Sequence, residues 1–451
     1  MRGAIVFMVL MTPGLVFGQT ITGTSVFVDG SSVTVSGSSF GTKETAAPLL
    51  WDNFDGGTSE ALLTTSENWI AYNTRSAIYY DRDPYGGNGL VAFGRWRGEF
   101  VPDTIDIPSH EYSASGFYTN NWTAPAAVDT MYYSYMWRCE WLDSNGEDPG
   151  SRVGGNESYN ATTKAGRMLS TGDYYSGDGV VNIQAFNPKY TPPYHEGTEY
   201  IYLDAGSNTY QFDPVDDETD EVYYPTNNSW QRQEMFKLNS TPGVADGVLW
   251  AAKDGTAVVN STMATRDAGY TNQLQNILLG VMAANTGDSL DIRISVDDVY
   301  VDRTRQRVEL GNASTFAECT HREIQIPSAW SSTEITITAN LGTFTADSTA
   351  YLFVVNGDGT ASSGYEVPWA DVLAISTATA DGTTVSVTWN DDGSDSFELL
   401  AADQGDAIFH YAGTDTTIEF PYAASDAIDV WVRGVTGGTA GAWVKTGIAA
   451  Q

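Results

Sequence analysis

The chain has 451 residues, enough for about two to four domains. Hydrophobic residues make up 41% and aromatic residues 12%, which suffices for packed cores and excludes a globally disordered chain. Lys and Arg number 22 against 57 Asp and Glu, a formal net charge of −35. That balance argues against nucleic acid or an anionic membrane as partner.

Residues 1–18 read as a secretion signal. Arg2 supplies the basic end, residues 4–10 the apolar stretch, and Val16-Phe17-Gly18 a small-residue cleavage site before Gln19. The apolar run is too short to span a membrane, and no later stretch approaches a span. The expectation is a secreted protein, extracellular or at the cell surface, without a transmembrane anchor.

Residues 20–42 carry two alternating runs, Ile21 to Val28 and Ser32 to Ser36, joined at Asp29-Gly30. They read as a hairpin. A lone hairpin buries no core, so it needs partners elsewhere in the chain.

Residues 50–301 form the body. They open with Leu50-Trp51-Asp52-Asn53-Phe54-Asp55 and close with Ile294-Ser295-Val296-Asp297-Asp298-Val299-Tyr300-Val301. Strand-length apolar runs between Gly, Asn, Asp and Pro predict a large antiparallel sandwich. Residues 131–142 are the most informative run. The odd positions Met131, Tyr133, Tyr135, Trp137, Cys139 and Trp141 belong between sheets. The even positions Tyr132, Ser134, Met136, Arg138 and Glu140 then face outward. Farther on, Val181, Ile183 and Ala185 turn inward and leave Asn182 and Gln184 outside. In residues 230–237, Trp230 and Phe236 draw the even face toward core, which places Gln233 and Lys237 on the ligand side.

Residues 307–311, 320–327, 332–341 and 350–359 read as further strands. Residues 372–451 follow with Val385-x-Val387-x-Trp389, Phe397-Glu398-Leu399 and Val430-Trp431-Val432-Arg433-Gly434-Val435. Cys139 and Cys319 each fall within a predicted strand and read as buried free thiols.

The acidic aromatic opening and the Asp-Asp-Val-Tyr-Val close resemble the two ends of concanavalin-A-like lectin/glucanase jelly rolls, where first and last strands lie side by side. Asp246-Gly247-Val248-Leu249-Trp250 is similar to a hairpin of lectin-like and lyase-like members. Gly-Ser-Ser-Phe-Gly-Thr at 37–42 and Val-Val-Asn-x-Asp-Gly at 354–359 resemble an IPT/TIG immunoglobulin-like domain. Residues 372–451 resemble a fibronectin type III module. The implied fold is all-β: a large antiparallel jelly-roll sandwich at 46–303, inserted into a split Ig-like domain at 19–45 and 304–368, and a second small sandwich at 372–451. Inserting about 250 residues into a loop costs little entropy.

The jelly-roll resemblance implies a sugar-binding face holding Tyr132, Arg138, Glu140, Asn182, Gln184, Gln233 and Lys237. The first reading is a non-catalytic glycan-binding or adhesive protein whose partner is a polysaccharide or cell-surface glycan. The second is a polysaccharide lyase acting on a uronate-containing glycan. A lyase needs a Tyr, His or Lys base and an Arg, Asn or Gln to neutralise the uronate. Tyr132, Arg138, Gln184, His195 and Lys164 offer those types. The alginate-lyase motifs of this fold are absent, and Gln184-Ala185-Phe186 lacks their His. Glycoside hydrolysis needs two carboxylates about 5–10 Å apart, and the Glu-x-Asp-x-x-Glu run of the glucanases is missing. A lyase therefore ranks above a hydrolase, and catalysis itself stays open. A third reading is a structural subunit that self-associates through sheet edges. Asp52, Asp55, Asp297 and Asp298 meet if the end strands pair. A structural Ca²⁺ would suit that seam, and an exposed acidic edge that discourages aggregation is the alternative.

Overall fold

A computed structural model describes residues 18–58, 63, 68–71, 78–82, 90–97, 116–119, 128–142, 162–171, 178–186, 199–205, 209–212, 229–280, 291–345, 348–369, 375–380, 384–389, 394–403, 406–421, 428–436, 439–440 and 444–448. Residues 1–17 of the expected signal segment and His195 lie outside these residues.

The fold is all-β. In chain order, β1 (Thr20–Thr24) and β2 (Ser32–Ser38) precede the body. The body holds β3 (Leu50–Asp52), β4 (Trp69–Ala71), β5 (Ile78–Arg82), β6 (Leu90–Arg97), β7 (Gly116–Thr119), β8 (Thr130–Leu142), β9 (Thr162–Ser170) and β10 (Asp178–Phe186). It continues with β11 (Glu199–Ala205), β12 (Thr209–Phe212), β13 (Gln231–Leu238), β14 (Gly247–Lys253), β15 (Thr256–Met263), β16 (Leu274–Gly280) and β17 (Asp291–Asp302). Next come β18 (Arg307–Gly311), β19 (Arg322–Trp330), β20 (Glu334–Thr338), β21 (Tyr351–Val355) and β22 (Tyr365–Glu366). The last unit has β23 (Ile375–Ala380), β24 (Thr384–Trp389), β25 (Ser396–Asp403), β26 (Asp406–Gly413), β27 (Thr417–Pro421), β28 (Ile428–Thr436), β29 (Thr439–Ala440) and β30 (Val444–Ile448).

The body is two stacked sheets. Sheet I runs β15-β14-β13-β8-β17-β6-β5, with β3 beside β17. Sheet II runs β12-β11-β10-β9-β16-β7-β4. Their facing sides share one core. Met131, Tyr133, Tyr135, Trp137, Met235, Ile294 and Val296 come from sheet I, and Met168, Leu203, Ile277 and Leu279 from sheet II. The two ends of the body meet, because Asp52 pairs with Val299 and Trp51 with Tyr300.

β1 and β2 join strands from the far side of the body. Sheet III runs β1-β2-β20-β19-β18-β21-β22, and Val33 opposes Ile337. Its core holds Val33, Val35, Val308, Leu310, Ile335, Ile337 and Leu352. The last unit places β23-β24-β27 against the β25–β28 sheet around Val387, Trp389, Leu399 and Val430.

Alternation explains most of these faces, and a bulge explains the main exception. Val296 and Val299 are three residues apart, yet both are in the core. The register of β17 against β8 shifts between Asp297 and Tyr300. Asp298 has φ of 49°, a left-handed conformation that Asp tolerates better than branched residues do. The shift leaves Asp297 and Asp298 on the outward side.

Cys319 is free and buried, so it makes no bridge to Cys139. Its thiol donates to the carbonyls of Thr315 and Ala313. No helix among the described residues is long and apolar enough to cross a membrane.

Candidate functional site

The outward face of sheet I does not form an open sugar platform at Tyr132. Tyr132 is fully buried and packs with Phe236, Trp250, Tyr300 and Ile324 of sheet III. Its hydroxyl donates to Glu234 Oε1 at 2.7 Å. Burial pushes the phenol far above its ordinary value, so Tyr132 cannot serve as a proton-abstracting base. This corrects its expected ligand and lyase roles. A second sandwich covers that end of the strand, which alternation within β8 could not reveal.

Glu234 belongs to a buried set of ion pairs. Arg232 NH1 lies 2.8 Å from Glu309 Oε2. Arg307 Nε lies 2.6 Å from Glu309 Oε1 and its NH2 3.2 Å from Glu234 Oε1. Arg322 Nε approaches Glu309 Oε2 at 3.1 Å. Burial alone would raise Glu309, but Arg232, Arg307 and Arg322 hold it well below the usual carboxylate range. Arg307 and Glu309 reach this set because they alternate with Val308 and Leu310, which point into the core of sheet III.

Gln233 and Lys237 also need correction. They alternate with Phe236 and Glu234 and share the core side with Met235. Gln233 is 2% exposed and Lys237 0%, so neither meets a ligand outside the sandwich. The error was one of parity. The even face of β13, with Arg232, Glu234 and Phe236, covers sheet III rather than facing sheet II.

A third correction separates the expected set. Arg138 and Glu140 lie on β8 in sheet I, while Asn182 and Gln184 lie on β10 in sheet II. Arg138 opposes Ser295 on the outward side of sheet I and is 8% exposed. The outward faces of two stacked sheets point away from each other. Arg138 and Glu140 therefore cannot share one ligand surface with Asn182 and Gln184.

Sheet II has its own polar face. Met168 and Leu203 are core residues, and Val181 pairs with both. The adjacent register row runs Arg167–Asn182–Tyr202, and Arg167 lies on the side of β9 opposite Met168. One row farther, Gln184 opposes Tyr200 on β11 and Lys164 on β9. The register of β10 against β9 shifts between these rows and skips Ala165. The first row extends to Leu278 and Tyr118 on one side and Gln211 on the other. With strands about 4.8 Å apart and alternate residues about 7 Å apart, the six residues fall within roughly 10 by 7 Å of sheet. Arg167 is 8% exposed, and Asn276 and Leu278 beside it are also buried.

The sequence reading missed Arg167, Tyr200 and Tyr202. Tyr200 and Tyr202 alternate with Ile201 and Leu203, a legible signal. Arg167 was obscured because the bulge breaks the alternation of β9.

The four seam aspartates have different fates. Asp52 Oδ1 accepts from the Phe54 N–H at 2.8 Å, and its Oδ2 accepts from Trp69 Nε1 at 2.7 Å. Asp55 Oδ1 accepts from the Leu90 N–H at 2.9 Å. Asp297 and Asp298 line a cleft of about 1180 Å³ between sheet I and sheet III. Burial, then Asp298, pushes the Asp297 carboxyl up to about 9. Burial, then Glu323 and Asp55, pushes Asp298 up to about 7. Among the described residues, no three His, Cys, Asp or Glu gather closely enough to hold a metal ion.

No family model and no curated protein matches the chain. Several solved structures of polysaccharide lyases are similar to part of the chain. The alginate lyase Aly36B in complex with an alginate trisaccharide shares 12% identity at a TM-score of 0.39, over 57% of this chain and 98% of its own. The endo-β-1,4-glucuronan lyase of the fungus Trichoderma reesei shares 9% identity at a TM-score of 0.34, over 57% and 96%. The PL-14 alginate lyase of Aplysia kurodai shares 14% identity at a TM-score of 0.31, over 50% and 86%.

Proposed function

We propose that this chain is a secreted polysaccharide lyase that takes a uronate-containing glycan on the outward face of sheet II. The observation that carries this reading is the pair of register rows Arg167–Asn182–Tyr202 and Lys164–Gln184–Tyr200. A uronate lyase removes the proton next to the carboxylate, breaks the neighbouring glycosidic C–O bond and leaves a carbon–carbon double bond. The proton becomes acidic only when the carboxylate is neutralised. Arg167, Asn182 and Gln184 supply a cation and amides for that task. Tyr200, Tyr202 and Lys164 supply side chains able to take the proton and return one to the leaving oxygen. Two cations on this face offset locally the repulsion that a net charge of −35 would exert on a polyanion.

A non-catalytic glycan-binding protein is the second reading, because the same groups hold a uronate without turning it over. Incubation with polyuronates and with neutral glycans separates the two, followed by ultraviolet absorbance of the unsaturated product. Product from a polyuronate, lost in Arg167→Ala, supports the lyase. Binding without product supports the second reading, and neither product nor binding overturns both.

A further inference from the structure

The cleft between sheet I and sheet III opens on the side of the sandwich away from the Arg167 face. Its volume of about 1180 Å³ is on the scale of small-molecule sites, roughly 300–1,000 Å³. Trp51 and Trp230 line it, both half-buried. Asp55, Asp297, Asp298 and Glu323 line it as well. The two guanidinium groups in its wall, Arg232 and Arg322, are engaged by Glu309 and Glu234. His321 Nε2 sits 2.8 Å from Glu323 Oε1 and 2.9 Å from Thr343 Oγ1. No lysine is among the described lining residues.

We propose that this cleft binds an amine-bearing organic cation, with the ammonium group set beside Asp297 and Asp298 and the carbon frame laid against Trp51 and Trp230. Indole is the best aromatic face for a cation, and partly desolvated carboxylates attract an ammonium more strongly than exposed ones do. A bare metal ion fits less well. Hard cations need several converging oxygens, the described carboxylates do not converge that tightly, and indole walls offer a metal nothing. Two sources carry this chemistry, an amino sugar within a glycan and a linear polyamine.

Calorimetry on the full chain tests this with spermine, a glucosamine tetramer and the N-acetylated tetramer. Saturable binding of spermine or the glucosamine tetramer is expected, and which of them binds identifies the source. The N-acetylated tetramer should bind at least about ten-fold more weakly. Asp297→Asn with Asp298→Asn should lower affinity by about ten-fold or more, as should Trp230→Ala. A thermal melt of each variant confirms folding. Arg167→Ala should leave this binding unchanged, so its failure is separate from failure of the lyase reading. Absence of saturable binding by either amine overturns the proposal. So does equal binding of the N-acetylated tetramer, unchanged affinity in the Asn double variant, or Ca²⁺ binding that replaces amine binding there.

Discussion

Arg232 on β13 reaches Glu309 on β18 at 2.8 Å, and both side chains are almost wholly buried. This contact ties sheet I to sheet III, with Arg307 and Arg322 completing the charge balance around Glu234 and Glu309. Such a set contributes little net stability over an apolar contact, but losing one member leaves a buried charge uncompensated. Glu309→Ala should therefore destabilise the chain by about 3–5 kcal/mol. Urea unfolding monitored by tryptophan fluorescence measures this. A loss below about 1 kcal/mol would show the pairs to be solvated and the two sandwiches loosely coupled.

The Asp297–Asp298 pair makes stability depend on pH. Both folded carboxyls titrate above their ordinary value of 3.8, near 9 and near 7. The folded state therefore binds more protons than the unfolded chain between these limits. Their contribution is fully present below about pH 4 and is lost as pH rises through 7 and then 9. Asp297→Asn with Asp298→Asn should flatten that decline and raise the melting temperature at pH 9 by about 2–4 °C. Thermal melts between about pH 5 and about pH 9 check the slope in both proteins.

Gly166 marks a close approach between the sheets. A Cβ placed there would lie 2.7 Å from the Tyr135 hydroxyl and 2.9 Å from that of Tyr133. Both tyrosines are fully buried, so neither ring can swing clear. Gly166→Ala should cost about 1–3 kcal/mol through overpacking. It should also disturb Lys164 and Arg167, which flank it on β9. Chemical denaturation and glycan binding on the same preparation measure the two effects.

On the outward face of sheet II, Arg167→Ala should lower polyuronate turnover by about 10²–10³-fold. Tyr202→Phe should lower it comparably if that phenol carries the proton, and Tyr200→Phe if the other does. Arg433→Ala, at the partly exposed pair with Glu398 in the last unit, should leave turnover unchanged. Initial rates of unsaturated-product formation at equal folded-protein concentration provide the comparison.

Sequence alone determined the β class and many strand faces, because side-chain alternation is a local property. Tyr133, Tyr135 and Trp137 had to share one side of β8, and Val308 and Leu310 one side of β18. The acidic aromatic ends also announced the Trp51–Tyr300 pairing. Tertiary structure decided what each face meets. A buried even face on β13 reads the same whether it covers sheet II or sheet III, so Gln233 and Lys237 were placed on the wrong side. Sheet membership is likewise nonlocal, and only the order of strands put Arg138 and Asn182 on opposite surfaces. Bulges at Ala165 and at Asp297–Asp298 shift the register by one residue, and the second turns two aspartates into the cleft. A strand's own residues set its two faces, but only partners far away in the sequence select which one is covered, as Val33 opposite Ile337 illustrates.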